Sequence, residues 1–481
     1  MERILTAEQM HDADHFTISK LGIPEEVLID RAGNALAEEI LKRFKGGRVL
    51  VCVGKGNNGK DGEVLAKILS LHHGFAVSVI SVDGCDFSIF DKKFDIIVDC
   101  IFGTGLNREV TGIYKEFIKK INKSNAYKIS CDIPSGINGN NGTVLGDAVR
   151  ADLTIAIGEY KLGLFLNDGI DYSGEVKLKD IGISVWGDDF VKRITDNSLS
   201  NLFKKRNRNI HKGINGKCAL IGGSKIYSGS IVLSAYALSA FKMGVGYVNM
   251  LVPENMFNNY VGKVPECILT AVKDDGDKMV LDKDSLNRVF DYDSIAVGMG
   301  MTDSEDTYKI ARYLIENYTG KLIIDADGLN AISKYGKDLF KNKKCEVILT
   351  PHVKEFSRLA DKSVCEILDN PIDIAKNFAQ ENGVIVVLKN AVSVITDGNE
   401  VYINTTGSQG MAKAGSGDIL SGFMCGLVAR EREDSLFAVV GANYLFGLAG
   451  EIAEKEQNEF SMTASDIIQA IPKAINKLII I

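Results

Sequence analysis

Short β-branched hydrophobic runs alternate with longer helical patterns along most of the chain. Each run is predicted to form a strand, because its length and its flanking turn residues are typical of strands. The predicted strands lie at residues 48–53, 76–82, 95–100, 128–131 and 153–157 in the first half, and at 217–221, 246–252, 294–297, 321–324, 346–349 and 383–388 in the second. This alternation requires helical crossovers, so it predicts buried parallel sheets.

The chain is predicted to divide near residue 200. The alternation weakens over residues 188–209, an interval that ends in the basic residues Lys204, Lys205, Arg206 and Arg208. We interpret this basic stretch as a solvated linker rather than a binding patch. With 481 residues, the chain is long enough for two large domains. We therefore expect an α/β protein with two tandem three-layer α/β/α domains, over residues 1–200 and 205–481.

The chain also opens in an ordered element. Thr6 is followed three residues later by Gln9, the capping-box spacing that begins a helix.

Composition narrows the class of protein. Lysine and arginine number 56 against 63 aspartates and glutamates, a net charge of −7, which argues against a general nucleic-acid binder. The nine cysteines are scattered without metal-ligand spacing, which indicates a reducing compartment. We find no stretch that approaches the roughly 18 apolar residues of a membrane helix. A soluble cytoplasmic protein is expected, with neither nucleic acid nor membrane as a partner.

A glycine-rich loop, GKGNNGKDG at residues 54–62, directly follows the first predicted strand. Ligands gather at the carboxyl ends of parallel strands, where glycines let the backbone approach an anion and the next helix adds positive partial charge. A phosphate or pyrophosphate would fit here. The spacing matches neither GxGxxG nor a Walker loop, and a purely structural turn is the alternative interpretation.

Two later strand ends carry carboxylates. Asp99 lies in VDCIFGTGL, ahead of Gly103, and Asp132 and Ser135 lie in CDIPSG. Asn58, Asp99 and Ser135 offer oxygen ligands for a hard cation. Asp132 is a candidate general acid/base. A helix cap or an ion pair is the alternative role for such an aspartate.

GNNGKDG, DCIFGTGL and DIPSG in this order, with GIPEEVLIDRAG upstream, resemble the YjeF N-terminal domain, the NAD(P)H-hydrate epimerase. The resemblance covers roughly residues 1–200 and implies a Rossmann-like fold. It implies that the hydrated nicotinamide nucleotide is bound by Asn57, Asn58, Gly59, Lys60, Asp61, Gly103, Thr104, Gly105, Leu106, Asn107, Arg108, Glu109 and Asp132. It also implies potassium at Asn58, Asp99 and Ser135 and an acid/base role for Asp132. Lys60 replaces the family's usual glycine, and a positive φ there would strain a lysine.

The second half ends in a loop with a different chemistry. NTTGSQGMAKAGSGD, residues 404–418, precedes an apolar helical stretch at 419–428. Gly415, Ser416 and Gly417 would open that helix with unpaired amides aimed at a phosphate, and Asp418 would take a proton from a hydroxyl. Lys389, which follows a strand in LKNAVSVITDG, is placed to meet nucleotide phosphates. The alternative interpretation of the loop at 404–418 is a structural connector without a binding role.

The segments HKGINGKCALIGGSKIYSG, VGMG, IDADGLN, LTPHVKEFSRL and GSGD are similar in sequence and order to the ribokinase-like superfamily, and more narrowly to the ADP-dependent NAD(P)H-hydrate dehydratase. The similarity covers roughly residues 205–481. It implies a nucleotide site of Lys389, Asn390, Ala391, Val392, Ser393, Gly415, Ser416 and Gly417. It implies that Gly300, His352 and Asp418 contact the hydrate and that Asp418 is the base. Met299 and Asn390 depart from the family's usual residues, and a capping or core role is the alternative for His352.

Together the two resemblances imply repair of hydrated NADH and NADPH (NADHX and NADPHX). The first domain would interconvert the R and S epimers with K⁺ bound. The second would use ADP and Mg²⁺ to dehydrate the S form, giving AMP, phosphate and NAD(P)H. The expected partners are these small molecules and further copies of the chain in a homo-oligomer. Two alternatives stay open, namely an alcohol kinase in the second half and a non-catalytic binding module in the first.

Overall fold

The structure is a computed structural model that describes residues 1–84, 86–203, 206–239 and 242–479. The described chain divides into two compact units, Arg3–Val191 and Lys192–Ile481, the latter together with Met1–Glu2. The division falls in the weakly patterned interval of the sequence. Cys85 and the basic residues Lys204 and Lys205 lie outside the described residues.

The strands and helices follow one another in the predicted alternation. The strands are β1 Glu2–Leu5, β2 Gly47–Val53, β3 Phe75–Ser81, β4 Ile96–Cys100, β5 Tyr127–Cys131, β6 Leu153–Ile157, β7 Tyr160–Lys161, β8 Glu175–Lys179, β9 Val191–Arg193, β10 Lys217–Ile221, β11 Tyr247–Pro253, β12 Ile268–Val272, β13 Ser294–Val297, β14 Lys321–Ile324, β15 Glu346–Leu349, β16 Ile385–Leu388, β17 Ser393–Thr396 and β18 Val401–Asn404. The helices are α1 Ala7–Ser19, α2 Glu25–Arg43, α3 Asn57–Ser70, α4 Gly112–Lys123, α5 Gly169–Tyr172, α6 Asp196–Leu199, α7 Ser228–Ser239, α8 Phe257–Tyr260, α9 Lys283–Asn287, α10 Glu305–Asn317, α11 Asp327–Tyr335, α12 Val353–Ala360, α13 Val364–Asp369, α14 Pro371–Asn382, α15 Ser416–Arg430, α16 Ser435–Gln457 and α17 Ala464–Ile479.

The first unit is built on a six-stranded parallel sheet in the order β3-β2-β4-β5-β6-β8. Hydrophobic clusters cover both of its faces. All five strands predicted for this half are confirmed. Strand β8 was missed because its sequence, EVKLK, carries charges at a half-exposed edge. The register places Asp99 of β4 beside Ser130 of β5, so the polar strand ends lie next to each other.

The predicted capping box at the start of α1 is confirmed. The Thr6 hydroxyl accepts from the Gln9 amide at 3.1 Å, and the Gln9 side chain accepts from the Thr6 amide at 3.0 Å.

The second unit contains the run β12-β11-β10-β13-β14-β15-β16-β17-β18. Its strands are parallel as far as β16. The strands predicted for this half pair in parallel, as expected, and two strands that were not predicted, β17 and β18, extend the run with antiparallel pairing. The connections are the reason, since residues 389–392 and 397–400 are too few for a parallel crossover, which needs about a dozen or more.

Helix α16 is an exception to the predicted lack of membrane-length apolar segments. The helix has 23 residues, and an 18-residue window within it has a mean hydropathy of 1.5, which suffices by length and composition to cross a membrane. However, 72% of that window is buried inside the protein. The helix packs against α15 and α17, and its apolar surface forms part of the core of the second unit.

Replacing Phe423 tests how much this core contributes to the free energy of unfolding. The ring is fully buried on α15 and packs edge-on against Phe446 at 5.8 Å between centroids. We expect Phe423→Ala to lower the free energy of unfolding by about 3–5 kcal/mol, because it leaves a cavity. Denaturant titration followed by circular dichroism measures the loss. Phe460→Ala is the control, since that ring is 84% exposed; equal effects of the two substitutions would contradict the assigned packing.

Candidate active sites

A cavity of about 790 Å³ opens at the carboxyl ends of β2, β4, β5 and β6 in the first unit. Most of the predicted substrate-binding residues lie on its wall: Asn57, Asn58, Asp61, Gly103, Thr104, Gly105, Leu106, Asn107, Arg108 and Asp132. The predicted residues Gly59, Lys60 and Glu109, all within the described chain, are not part of that wall. Strand ends that are far apart in the sequence therefore meet at one cavity, as the parallel topology requires.

The glycine-rich loop becomes the N-terminal turn of α3. Its N-cap is Gly56, and no side chain caps the helix, so first-turn amides are left for an anionic ligand. At Gly59 a Cβ atom would lie 2.0 Å from the carbonyl oxygen of Gly54, so this close approach requires glycine. Lys60 lies in the helix and is not among the residues with positive φ. The strain expected from its replacement of glycine does not arise.

Asp132 stands at the end of β5 in a strained backbone conformation, with φ at +68°. Its Oδ1 accepts from the Ile157 amide at 3.0 Å and from Nζ of Lys161. Lys161 is fully buried, and its Nζ also donates to the Ile157 carbonyl at 2.5 Å. Sequence analysis missed Lys161, although a lone lysine within the apolar run TIAIGEYKLGLFL was a usable signal.

Two further carboxyl groups line the same cavity, from α1 and α3. Burial raises the pKa of Asp61 to about 8, and the nearby Asp132 and Asp14 add to the shift. Burial likewise raises the pKa of Asp14 to about 6, partly opposed by Lys161 and reinforced by Asp132. Asp61 is therefore a neutral hydrogen-bond donor at neutral pH. Asp14 was not predicted, because α1 is distant in sequence from the loops it meets.

Of the three predicted metal ligands, Asn58 lies on the cavity wall, and Asp99 and Ser135 are buried and are not part of it. The Ser135 hydroxyl donates to Oδ1 of Asp99 at 2.6 Å and accepts from the Phe102 amide at 2.8 Å. Asn58 Nδ2 donates to the Phe102 and Cys131 carbonyls, each at 3.0 Å. Phe102 therefore bonds both Asn58 and Ser135, and Ser135 in turn bonds Asp99.

One oxygen of this cluster lacks a partner. Asn58 Oδ1 is buried and accepts no hydrogen bond within the described chain. Asp99 is completely buried, and its Oδ2 accepts from Ser130 and Ser135. Burial raises the pKa of Asp99 despite these donors. An orphaned amide oxygen beside a carboxylate and a hydroxyl fits an oxygen-preferring cation.

The predicted helix at 419–428 in the second unit is confirmed as part of α15. Gly415 is its N-cap with φ at +93°, no side chain caps it, and the Ser416 hydroxyl donates to the Met411 carbonyl at 2.7 Å. Asp418 lies in the first turn and is hydrogen-bonded by Ser230. Burial raises its pKa to about 6, and the charge of Asp325 adds to the shift. The loop thus joins free helix amides to a carboxylate that titrates near neutral pH.

Lys389 is held beside this loop by a buried carboxylate. Its Nζ lies 2.8 Å from Oδ1 of Asp325, and the Ser421 hydroxyl donates to Oδ2 at 2.7 Å. Burial alone would raise the pKa of Asp325, but Lys389 and the hydroxyl donors outweigh it and lower that pKa. A Cβ on Gly417 would lie 3.6 Å from the Lys389 ammonium. Sequence analysis quoted Asp325 only as part of a motif and missed this role.

The other predicted nucleotide contacts lie around the β16–β17 connection. Asn390, Ala391 and Val392 form that connection, and Ser393 begins β17. The Asn390 side chain is exposed.

His352 combines the predicted site position with its alternative capping role. Its Nδ1 accepts from the Lys354 and Glu355 amides at 3.1 and 3.2 Å, so it is the N-cap of α12. Those two donors require an unprotonated Nδ1, which leaves the proton of the neutral ring on Nε2. Burial, then Lys389, lowers the pKa of His352. Its half-exposed ring is therefore a neutral hydrogen-bond donor.

The loop after β13 keeps the conformation that its glycines allow. Gly298 and Gly300 have positive φ values of +119° and +67°. A Cβ on Gly300 would lie 2.6 Å from the Tyr227 carbonyl oxygen, so the backbone passes closely there. Met299, which departs from the family pattern, turns into the core.

Known proteins are similar to this chain over both units. Residues 218–473 match the family profile described as NAD(P)H-hydrate dehydratase, and residues 25–86 and 80–163 match the YjeF-related protein N-terminus. The bifunctional NAD(P)H-hydrate repair enzyme Nnr of Moorella thermoacetica is 31% identical, covering 99% of this chain and 97% of its own. The Thermofilum pendens enzyme of that name is 32% identical, covering 97% and 94%.

The chain belongs to the bifunctional NAD(P)H-hydrate repair enzyme family. The predicted family is confirmed over both units. Among solved structures, the ADP/ATP-dependent NAD(P)H-hydrate dehydratase of Bacillus subtilis, co-crystallised with ATP/Mg²⁺, is similar with a TM-score of 0.52 and 25% identity. It covers 60% of this repair-enzyme chain and 99% of its own. The expected ribokinase-like fold of the second half is confirmed.

Removing the carboxylate of Asp325 tests the buried ion pair with Lys389. We expect Asp325→Asn to lower the free energy of unfolding by about 3–5 kcal/mol, because it leaves a partly buried ammonium without its counter-charge. Calorimetric unfolding measures the change. Asp338→Asn is the control, since the exposed Asp338 pairs with Lys341 at the surface and its loss leaves Tm unchanged. A Tm of Asp325→Asn equal to that of wild type would refute the stabilising role.

Proposed function

We propose that the first unit of this repair enzyme interconverts the R and S epimers of NADHX and NADPHX, and that the second dehydrates the S form. The observation that carries the proposal is the same in both units. An aspartate, Asp132 or Asp418, stands among backbone amides at the carboxyl edge of a parallel sheet. Membership of the bifunctional family supports joining the two activities on one chain.

Epimerisation inverts the ring carbon that carries the hydroxyl, so a bond at that carbon must break and re-form. In the proposed step, Asp132 takes the hydroxyl proton, the carbon–nitrogen bond breaks to leave an aldehyde, and Asp132 passes that proton to the ring nitrogen. Rotation and closure on the other face reverse both proton transfers and give the other epimer. One carboxylate in contact with the hydroxyl suffices as base and then as acid.

Potassium is proposed at Asn58, Asp99 and Ser135. The unpartnered Oδ1 of Asn58 and the neighbouring carboxylate and hydroxyl oxygens support this choice. When bound, the ion would supply a fixed positive charge behind the nucleotide loop and hold the ends of β2, β4 and β5 together.

Dehydration needs a better leaving group than hydroxide. In the proposed reaction the hydroxyl of the S hydrate attacks the terminal phosphorus of ADP, AMP leaves, and Asp418 takes the hydroxyl proton. The amides of the Gly415, Ser416 and Gly417 turn stabilise the transferring phosphoryl group, and Lys389 meets the phosphates. Phosphate then leaves from the hydrate carbon and the neighbouring ring carbon loses a proton, which re-forms the double bond of NADH or NADPH.

The hydrate is proposed to contact Gly300 and His352 and to accept a hydrogen bond from Nε2 of His352. Within the described residues, no group of three or more histidine, cysteine, aspartate or glutamate side chains could hold a metal ion. Mg²⁺ is therefore proposed to arrive with the nucleotide, held mainly by its phosphates.

The proposed setting is that of a soluble cytoplasmic enzyme with no nucleic-acid or membrane partner. The net charge of −7 and the burial of α16 support it. A homo-oligomer stays a prediction.

Recovery of reduced-nicotinamide absorbance from mixed R and S hydrates, with ADP and Mg²⁺, tests both activities. We expect full recovery with wild type. Asp132→Asn should give rapid but partial recovery, because only the S form is consumed. Asp418→Asn should slow recovery by about 10²–10⁴-fold, because the base is lost.

The outcomes of this assay separate the proposal from its alternatives. No recovery by wild type, with stable phosphorylation of a small alcohol instead, would establish an alcohol kinase in the second unit. Unchanged epimerisation by Asp132→Asn would remove the acid/base assignment. Faster turnover with ATP than with ADP would overturn the choice of donor.

Potassium dependence forms a separate prediction. Replacing K⁺ by tetramethylammonium should slow epimerisation by more than about 10-fold, because the ligand oxygens lose the charge they surround. Dehydration of pure S hydrate in the same buffers is the control and should not change. Asn58→Ala should epimerise slowly in either salt. Equal wild-type rates in both salts would contradict the site.

A further inference from the structure

Lys161 is a charged residue placed where charge is costly. Its side chain has 1% relative exposure, and an ammonium buried to this degree is stable only with close partners. Its Nζ donates to Oδ1 of Asp132 and to the carbonyl oxygen of Ile157. Lys161 therefore joins the end of β5 to the end of β6 beneath the cavity.

The two oxygens of Asp132 have different surroundings. Within the described chain, the recorded donors to this carboxylate, the Ile157 amide and Lys161 Nζ, both reach Oδ1. The residue lines the cavity and its side chain is 17% exposed. With Oδ1 occupied on its buried side, Oδ2 is the atom left to meet a ligand.

The backbone of Asp132 needs the same support. A non-glycine residue at a φ of +68° is strained, and such strain persists only where neighbouring bonds hold it. The Asp132 amide donates to the Ile155 carbonyl at 2.8 Å, and the side chain is held by Ile157 and Lys161. The carboxylate is thus fixed at both its main chain and its side chain.

We propose that Lys161 is a positioning residue for epimerisation: by holding Oδ1 of Asp132 it presents Oδ2 as the atom that exchanges the proton with the substrate hydroxyl. The inference rests on the proposed epimerase function. Lys161 lines the cavity, but its ammonium donates to Asp132 and to the Ile157 carbonyl, so in this proposal it acts through Asp132.

Lys161→Met in the full chain tests this role, because methionine keeps the length of the side chain and removes its charge. We expect the kcat of epimerisation to fall by about 10²-fold or more, while KM changes less than about 3-fold, since the cavity wall is kept. The acid limb of the rate–pH profile should move to higher pH, because Asp14 and Asp61, which line the same cavity, lose the cation that lowers their pKa.

Asp14 on α1 and Asp61 on α3 interact with Asp132 as well as with Lys161. The shift between the two profiles therefore reports the loss of the lysine charge from the cavity.

Lys179→Met is the matched control. Lys179 lies on β8 with its side chain 16% exposed, and it pairs with Glu38 at 3.3 Å and Glu39 at 3.2 Å, away from the cavity. It should keep the wild-type kcat and pH profile. Dehydration of pure S hydrate by each variant reports that the second unit is folded.

A second variant covers the case in which Lys161→Met fails to fold. Asp132→Asn/Lys161→Met replaces the ion pair with a neutral pair and should epimerise no more slowly than Asp132→Asn alone. A further loss of more than about 10-fold would overturn the inference, because Lys161 would then act independently of Asp132.

Different experimental results would overturn the role of Lys161 and the epimerase activity itself. Wild-type epimerisation with an unaltered kcat and pH profile in Lys161→Met would overturn the inference alone. Absence of epimerisation by wild type would overturn both.

Discussion

A completely buried aspartate at the carboxyl end of a central strand organises each site. Asp99 lies in β4, and Asp325 directly follows β14. An isolated buried carboxylate costs several kcal/mol, so donors must surround it. Around Asp99 they come from Ser130 and Ser135, and around Asp325 from Lys389 and Ser421. Because these donors lie on or beside the functional loops, satisfying the buried charge also fixes those loops.

The aspartates that we propose to react, Asp132 and Asp418, are only partly buried. Asp418 shows the consequence, since burial and then the charge of Asp325 raise its pKa to about 6. A base that titrates there is ionised at neutral pH and still has appreciable proton affinity. Asp61 lies at a more desolvated place with a pKa of about 8, so it is a donor instead. The same physical cause, burial, thus gives carboxyl groups of one type different proton affinities.

Elements whose formation depends on local pattern could be predicted, and those that depend on distant contacts could not. The β-branched runs predicted the parallel strands, and their shared carboxyl edge predicted that Asn58, Asp99 and Ser135 would meet. Lys161 and Asp14 escaped because only the packing of β7 and α1 against the loops places them at the cavity. Helix α16 has a membrane-like composition, and only its burial among α15 and α17 distinguishes it as a core helix.

The backbone of Asp132 is strained, whereas that of Lys60 is not. Glycine would adopt the +68° φ of Asp132 without strain, but it would bring no carboxylate to the cavity. The position keeps an aspartate at a conformational cost of about 1–3 kcal/mol. Lys60 is the opposite case, because the expected strain at that position is absent from the helix that contains it. A departure from the family's glycine is therefore tolerated where the helix permits any residue, whereas the strain at Asp132 is held by the bonds that its amide and its side chain make to β6 and Lys161.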